Sequence, residues 1–307
     1  MRVTALAGGG GAAKFLRGLV LATDPKDVTV IGNTGDDAVF HGLHVSPDLD
    51  IVTYTLAGVI DDAGWGIRSD TTNALDQLAT YGVETWFTLR DRDLGTHMAR
   101  TTWLDDGVSL SEITDRIRIG LGVETKILPM SDEPVRTKIT TAAGIERDFQ
   151  EYFVRFRHSE EVAKIRFEGA SSAKPAPSVL EAIMSADRII ICPSNPAVSI
   201  GPILAVAGIR EALAARRGEV FAISPIIEGV ALKGPADKLM GLLGAESSAS
   251  GVASVYRDIC GTFVIDQRDA PEAAAIEKMD MRVMVLETVM SSEGIARQLA
   301  KEILALR

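Results

Sequence analysis

Residues 6–19 read LAGGGGAAKFLRGL: an apolar stretch, residues 3–7, runs into Gly8, Gly9, Gly10 and Gly11 and then into a helical pattern over residues 12–22. Four glycines in a row cost backbone entropy, so the junction implies close approach by something. A strand that feeds a helix start leaves amide N–H groups free at the positive end of the helix dipole, where an anion is favoured. The expected ligand is a phosphate. Two common phosphate motifs fail on detail. Gly8, Gly10 and Ala13 fit the dinucleotide pattern G-x-G-x-x-G/A, but the acid it asks for about 20 residues on is missing, since strand 28–31 ends in Gly32 and Asn33. That absence disfavours an NAD-dependent dehydrogenase. As a P-loop the run also fails, because Lys14 lies between Ala13 and Phe15 where glycine and a hydroxyl residue are required.

A formal charge of −10 argues against a nucleic-acid surface, which would need a basic stripe. Cys192 and Cys260 lack metal-type spacing and read as buried, reduced thiols. No signal-peptide pattern opens the chain and no apolar run reaches the length of a membrane span, so a cytoplasmic location is expected, with no membrane partner.

Apolar strand-like runs alternate with helix-period segments in the N-terminal part and in the last third, where strands are expected at 188–192, 220–223, 262–265 and 282–286. Helices are expected at 202–215, 236–243, 272–278 and 292–304. Such alternation implies an α/β fold with a doubly wound, Rossmann-like, mainly parallel sheet covered on both faces. Residues 1–130 and 175–307 would form that domain. Residues 131–174 differ: aromatic and β-branched residues alternate around Ala143-Gly144 as in a hairpin, which suggests an inserted smaller α+β lobe. The apolar helix PILAVAGIREAL leaves room for a homodimer interface.

In open α/β sheets ligands sit outside the carboxyl ends of the strands, so the loops there carry the chemistry. The second such loop holds Asp36, Asp37, His41, His44, Asp48 and Asp50. Acids facing a phosphate loop suit Mg²⁺, which takes oxygen ligands and usually only one or two carboxylates. The segment LRDRDLGTHMAR combines Arg90, Asp91, Arg92, Asp93, His97 and Arg100, where arginine forks suit phosphate oxygens. PSNPAVSIGPI supplies Ser194, Asn195, Ser199 and Gly201 at another helix start, and Ser224 opens a similar loop. Together these loops suggest a nucleotide laid across the strand ends.

Taken in order, LAGGGGAAKFLRGL, NTGDDAVFHGLHVSPDLD, LRDRDLGTH, LPMSDEPVRTKI, PSNPAVSIGPILAVAGIREAL and SPIIEGVALKGPADKLM resemble the 2-phospho-L-lactate transferase family, over nearly the whole chain. The resemblance implies transfer of a phospholactyl or phosphoenolpyruvyl group from a guanosine-diphosphate-linked donor to the ribityl hydroxyl of 7,8-didemethyl-8-hydroxy-5-deazariboflavin. GMP would leave, and the product would be the glutamate-free form of coenzyme F420 or its dehydro form. It implies that Gly8–Gly11, Lys14, Asn33, Ser194, Asn195, Ser199, Gly201 and Ser224 face the donor. Asp36, Asp37, Asp48 and Asp50 would hold Mg²⁺, with Asp48, Asp50, Arg92 and His97 toward the acceptor. Asp50 and Arg92 would be catalytic, Asp50 orienting the attacking hydroxyl or accepting its proton. The chain departs from the family pattern at Arg90, Glu228 and Glu287. The rival expectation is a non-catalytic nucleotide-sugar-binding regulator of the gluconeogenesis-factor type.

Overall fold

Val3–Ala7 (β1) is buried along its whole length, as a strand covered on both faces must be. The computed structural model describes residues 1–231 and 234–306. The other strands, in chain order, are Val28–Gly32 (β2), the short hairpin Ala38–Phe40 (β3) and Leu43–Val45 (β4), Lys126–Pro129 (β5), Arg136–Thr141 (β6), Glu146–Asp148 (β7) and Val162–Glu168 (β8). They continue with Arg188–Ile191 (β9), Val220–Ile223 (β10), the small pair Ile226–Ile227 (β11) and Val230–Ala231 (β12), Thr262–Asp266 (β13) and Arg282–Leu286 (β14).

Seven of these form one sheet in the order β14-β13-β10-β9-β1-β2-β5, and every pair in it is parallel. The chain runs outward from β1 through β2 to β5, returns to β9 on the other side of β1, and runs outward again. The order therefore reverses between β1 and β9, and a crevice opens at the carboxyl ends of those two strands. This is the doubly wound parallel sheet that the alternation predicts.

Alternate strand residues feed two cores. Leu6, Ile31, Ile189 and Ile191 point into one, while Val3, Ala5, Val28, Val30 and Ile190 point into the other. Five helices follow in the first half: Gly9–Ala22 (α1), Pro47–Leu56 (α2), Asn73–Thr80 (α3), Asp91–Asp105 (α4) and Leu110–Gly120 (α5). α1 lies on the second core with Phe15, Leu16 and Leu19, against Leu299, Ala300 and Ile303 of the C-terminal helix Glu293–Ala305. The two helices touch backbone to backbone at Gly18, where a Cβ would run into the carbonyl of Ala296. Gly18→Ala is therefore expected to lower the unfolding free energy by about 1–3 kcal/mol in urea titration, through helix displacement.

Two local expectations change. The first helix starts at Gly9, inside the glycine run. The helix expected over 202–215 is broken into Gly201–Ala205, which continues a wide turn Pro196–Ile200, and Ile209–Ala215, with Gly208 turning between them at φ +88°. Its apolar residues Ile203, Ile209 and Leu213 are buried in the core. No single described helix is long and apolar enough to cross a membrane, and the pair Pro196–Ala205 and Ile209–Ala215 is bent by 92°. Within 131–174, β6 pairs antiparallel with β7 and β8, and Gly144 at φ +81° makes the turn. Ile139, Phe149 and Tyr152 pack there with Ala197 and Val198 of the wide turn, which brings this sheet to the crevice.

Candidate active site

The glycine run is shaped first by its protein neighbours. Gly9 has φ +73°, a left-handed conformation that a side chain would strain. A Cβ on Gly8 would stand 2.7 Å from Asp48 Oδ2 and 2.8 Å from Ser199 Cβ, and one on Gly11 would meet the Pro193 carbonyl. The loops after β1, β2 and β9 therefore close on one another at the start of α1.

Asp48 is the centre of that junction. It lies in the first turn of α2, which Pro47 opens, and its carboxylate faces the start of α1. Asp48 Oδ1 accepts from Gly9 N at 2.8 Å and Oδ2 accepts from Asn33 Nδ2 at 2.9 Å, while Asn33 Oδ1 accepts from Gly35 N. Asn33 thus orients the carboxylate from behind. Burial pushes the Asp48 carboxyl up to about 6, with the Asn33 and Gly9 hydrogen bonds holding it down. Asp36 stands nearby and is also buried. Burial, then the charges of Asp48 and Asp37, pushes its carboxyl well above the ordinary range, and its Oδ1 has no hydrogen-bond partner. Two carboxyls held this way repel each other unless a proton or a cation is shared between them.

Around them opens a cavity of about 740 Å³. Gly8–Gly11, Lys14, Asp36 and Asp48 line one side, and Ser194, Asn195, Ser199 and Ser224 continue it along the strand ends. Among the described residues Lys14 has no ion-pair partner. The Ser194 hydroxyl accepts from Gly8 N at 3.4 Å, Asn195 caps the wide turn by accepting from Ala197 N, and Ser224 bonds within its own loop. Apolar side chains complete the lining: Trp65, Phe87, Phe149, Phe153, Val289 and Met290. Sequence reasoning missed them. Val289 and Met290 follow β14, so the strand-end rule applied to one more strand finds them.

Several expected site residues lie elsewhere, and each has a physical reason. Asp50 is turned away from the cavity into a buried bidentate ion pair with Arg100, Nη1 to Oδ2 at 3.1 Å and Nη2 to Oδ1. His97 is buried beside it, with Nδ1 3.2 Å from Arg100 Nη1 and Nε2 3.2 Å from Asp93 Oδ2. Tyr54 donates to Asp93 Oδ1 at 2.7 Å. This network welds α2 to α4. Burial alone would raise the Asp93 carboxyl, but the close His97 ring and the Tyr54 hydrogen bond outweigh it and hold it low. Arg92 is exposed, its backbone amide capped by Asp70 at the start of α4, and Nη1 donates to Arg68 O. Asp91 caps α3 in the same way, accepting from Asn73 N and Ala74 N. Gly201 packs against Phe167 and the Pro196 carbonyl, and Asn33 lies behind Asp48. Glu228 adopts φ +51° in the turn between β11 and β12, with its side chain exposed toward Arg268, away from the cavity.

The four-aspartate metal set likewise divides. Among the described residues no group of three or more His, Cys, Asp or Glu is disposed to hold a metal ion. Asp36 and Asp48 stay at the cavity, Asp50 goes to Arg100, and Asp37 accepts from Ser46 Oγ at 2.7 Å. Burial pushes the Asp37 carboxyl up to about 7, opposed by the Ser46 hydrogen bond and Arg136. A carboxyl raised on folding gives stability that is complete below its unfolded value and lost as pH rises through its folded one. Asp37→Asn removes that loss. In metal-free buffer, its urea-unfolding free energy relative to the native chain is expected to improve by on the order of 1 kcal/mol from pH 5 to pH 8. A pH-independent difference would refute this.

The reversal point of a parallel sheet, a helix start aimed into it and two buried carboxyls define an α/β protein with its candidate ligand site at the strand ends. The chain belongs to the family "2-phospho-L-lactate transferase CofD", whose model matches residues 3–299. It is 44% identical to the phosphoenolpyruvate transferase of Kitasatospora aureofaciens, over 100% of this chain and 98% of that one. It is 39% identical to the 2-phospho-L-lactate transferase of Methanosarcina mazei, over 96% of each chain. A crystal structure of a Bacillus halodurans protein of the UPF0052 family shares the fold, with TM-score 0.59 and 18% identity over 99% of this chain and 98% of that one.

Proposed function

We propose that this transferase of coenzyme F420 biosynthesis takes a phosphoenolpyruvyl or phospholactyl group from a guanosine-diphosphate-linked donor and passes it to the ribityl hydroxyl of 7,8-didemethyl-8-hydroxy-5-deazariboflavin. The hydroxyl oxygen forms the new bond to phosphorus, the phosphoanhydride bond breaks, GMP leaves, and the hydroxyl proton is released. One observation carries the reading: a buried carboxyl pair and a helix start share a cavity that aromatic side chains also line. A diphosphate fits the first and a planar ring the second. Burial raises both carboxyls, which favours sharing a proton or a cation between them, and Mg²⁺ commonly takes one or two carboxylates plus substrate phosphates. Asp36 and Asp48 would hold that ion, which supplies charge neutralisation at the diphosphate. The first-turn amides of α1 have no intrahelical acceptor and, with Lys14, receive phosphate oxygens. Ser194, Asn195, Ser199 and Ser224 then face the nucleoside side. Both kinds of relative named above support the three-carbon acid, and the higher identity lies with the phosphoenolpyruvate transferase.

Calorimetric titration with GDP, UDP-N-acetylglucosamine and NAD, each with and without Mg²⁺ and followed by the deazaflavin, tests this. Selective Mg²⁺-dependent GDP binding followed by deazaflavin binding is the expected result. UDP-sugar binding with no affinity for the deazaflavin would replace the transferase with a nucleotide-sugar-binding regulator. The reading also makes the chain a cytoplasmic homodimer, a state that light scattering reads directly.

A further inference from the structure

The segment between α2 and α3 carries Trp65 on a short hairpin. Ile60 and Ile67 form its single antiparallel bridge, Arg68 N donates to Val59 O at 2.8 Å and Asp61 N donates to Gly66 O at 3.1 Å. Gly64 and Gly66 flank Trp65, both at positive φ. A hairpin this short, with glycines at its tip, does not hold a fixed position by its own backbone. Its place depends on side-chain anchors from outside it: Arg92 gives one long bond from Nη1 to Arg68 O, and Arg90 supplies the rest. Arg90, at the start of α4, donates from Nη1 to Asp61 Oδ2 at 2.9 Å and to Ile67 O at 3.2 Å. Its guanidinium carbon also lies 4.6 Å from the centroid of the Trp65 ring. Arg90 and Asp61 are 16% and 22% exposed, so their ion pair is sheltered beyond the usual surface pair. Behind Arg90 the chain is rigid: Asp91 N donates to Thr71 O, and Asp70 receives the amides of Arg92 and Asp93. Phe87 and Thr88, just before Arg90, line the cavity as Gly64 and Trp65 do.

We propose that Arg90 is a positioning residue that pins the Trp65 hairpin to the start of α4, so that Trp65 forms a fixed aromatic wall of the cavity and sets its fit to a planar ring. An arginine laid over one face of an indole leaves the other available for a ligand ring, and its planar fork holds hairpin and ring in one geometry. The part concerning the ring rests on the acceptor proposed above. The part concerning the hairpin does not.

Hydrogen exchange separates the two. Arg90→Met keeps an unbranched apolar stem and removes the fork. In that variant the amides of Asp61 and Arg68 are expected to exchange at least tenfold faster, while those in the body of α4 are unchanged. Arg90→Lys keeps the Asp61 ion pair without the fork and is expected to fall between. In steady-state assays Arg90→Met should raise KM for the deazaflavin about tenfold, with kcat and the donor KM held within about threefold. Unchanged exchange at Asp61 and Arg68 overturns the positioning role. Faster exchange with an unmoved deazaflavin KM overturns the role in ring fit. If the native chain itself shows no affinity for the deazaflavin, the proposed function fails, and the positioning role is decided by exchange alone.

Discussion

Arg100→Ala is expected to cost about 3–5 kcal/mol of unfolding free energy, because it strands the Asp50 carboxylate in the interior with no counter-charge. Both groups are buried, and the guanidinium is the only cation that grips Asp50 with two hydrogen bonds among the described residues. Asp50→Ala should cost a similar amount by leaving the guanidinium unpaired. The paired replacement Asp50→Leu with Arg100→Met behaves differently, since two apolar groups of suitable volume carry no desolvation cost. It should recover most of the loss, a strong non-additivity of neighbours in one network. Urea titration of the native chain, the single variants Asp50→Leu and Arg100→Met, and the pair closes the cycle. The same pair also decides what Asp50 does. A structural clamp lets the double variant turn over with less than the about 10²-fold loss that a 1 Å misplacement brings. A catalytic base at Asp50 leaves the double variant folded and inactive.

That network marks the boundary of what sequence reading reaches. The fold was legible because strands buried on both faces declare themselves as short apolar runs, and the alternation with helices dictates a parallel sheet. The glycine loop and the carboxylates after β2 were legible because strand-end loops are where such a sheet places ligands. What did not show was direction. Asp48 and Asp50 are two residues apart in the first turn of α2, about 200° apart around a helix of 3.6 residues per turn, so one faces the glycine loop and the other faces α4. Spacing alone separates the two residues, but it does not say which face meets which neighbour. The triplet Arg90-Asp91-Arg92 shows the same gap. Its charges suggest phosphate contacts, whereas Asp91 caps α3 and Arg90 binds the Trp65 hairpin, through partners 15 to 30 residues away along the chain. The aromatic wall was hidden for a further reason: Trp65, Phe87 and the stacked pair Phe149 and Phe153 come from three separate segments, and no local period links one segment to another.

Asp48→Asn is expected to lower turnover by about 10²–10³-fold, the scale for removing one preorganised electrostatic group from a transition state that develops charge. The side chain keeps its volume, so the junction of Gly8, Ser199 and Asn33 is not emptied. The loss falls on charge and on one acceptor, since an amide offers a single oxygen to the two donors Gly9 N and Asn33 Nδ2. A divalent ion shared by Asp36 and Asp48 competes with protons for the same oxygens. With the Asp48 carboxyl raised to about 6, the native chain should bind Mg²⁺ more weakly as pH falls from 8 to 5. The sign follows from burial: the protonated form is favoured at low pH, and the ion takes only the ionised form. In Asp48→Asn one of the two competing carboxyls is gone, so Mg²⁺ affinity at pH 8 drops and its slope with pH becomes shallower. Turnover and Mg²⁺ titration at three pH values measure both. Turnover within a few-fold of native at saturating Mg²⁺ would remove Asp48 from the machinery, and an unchanged pH slope would move the ion away from this carboxyl pair.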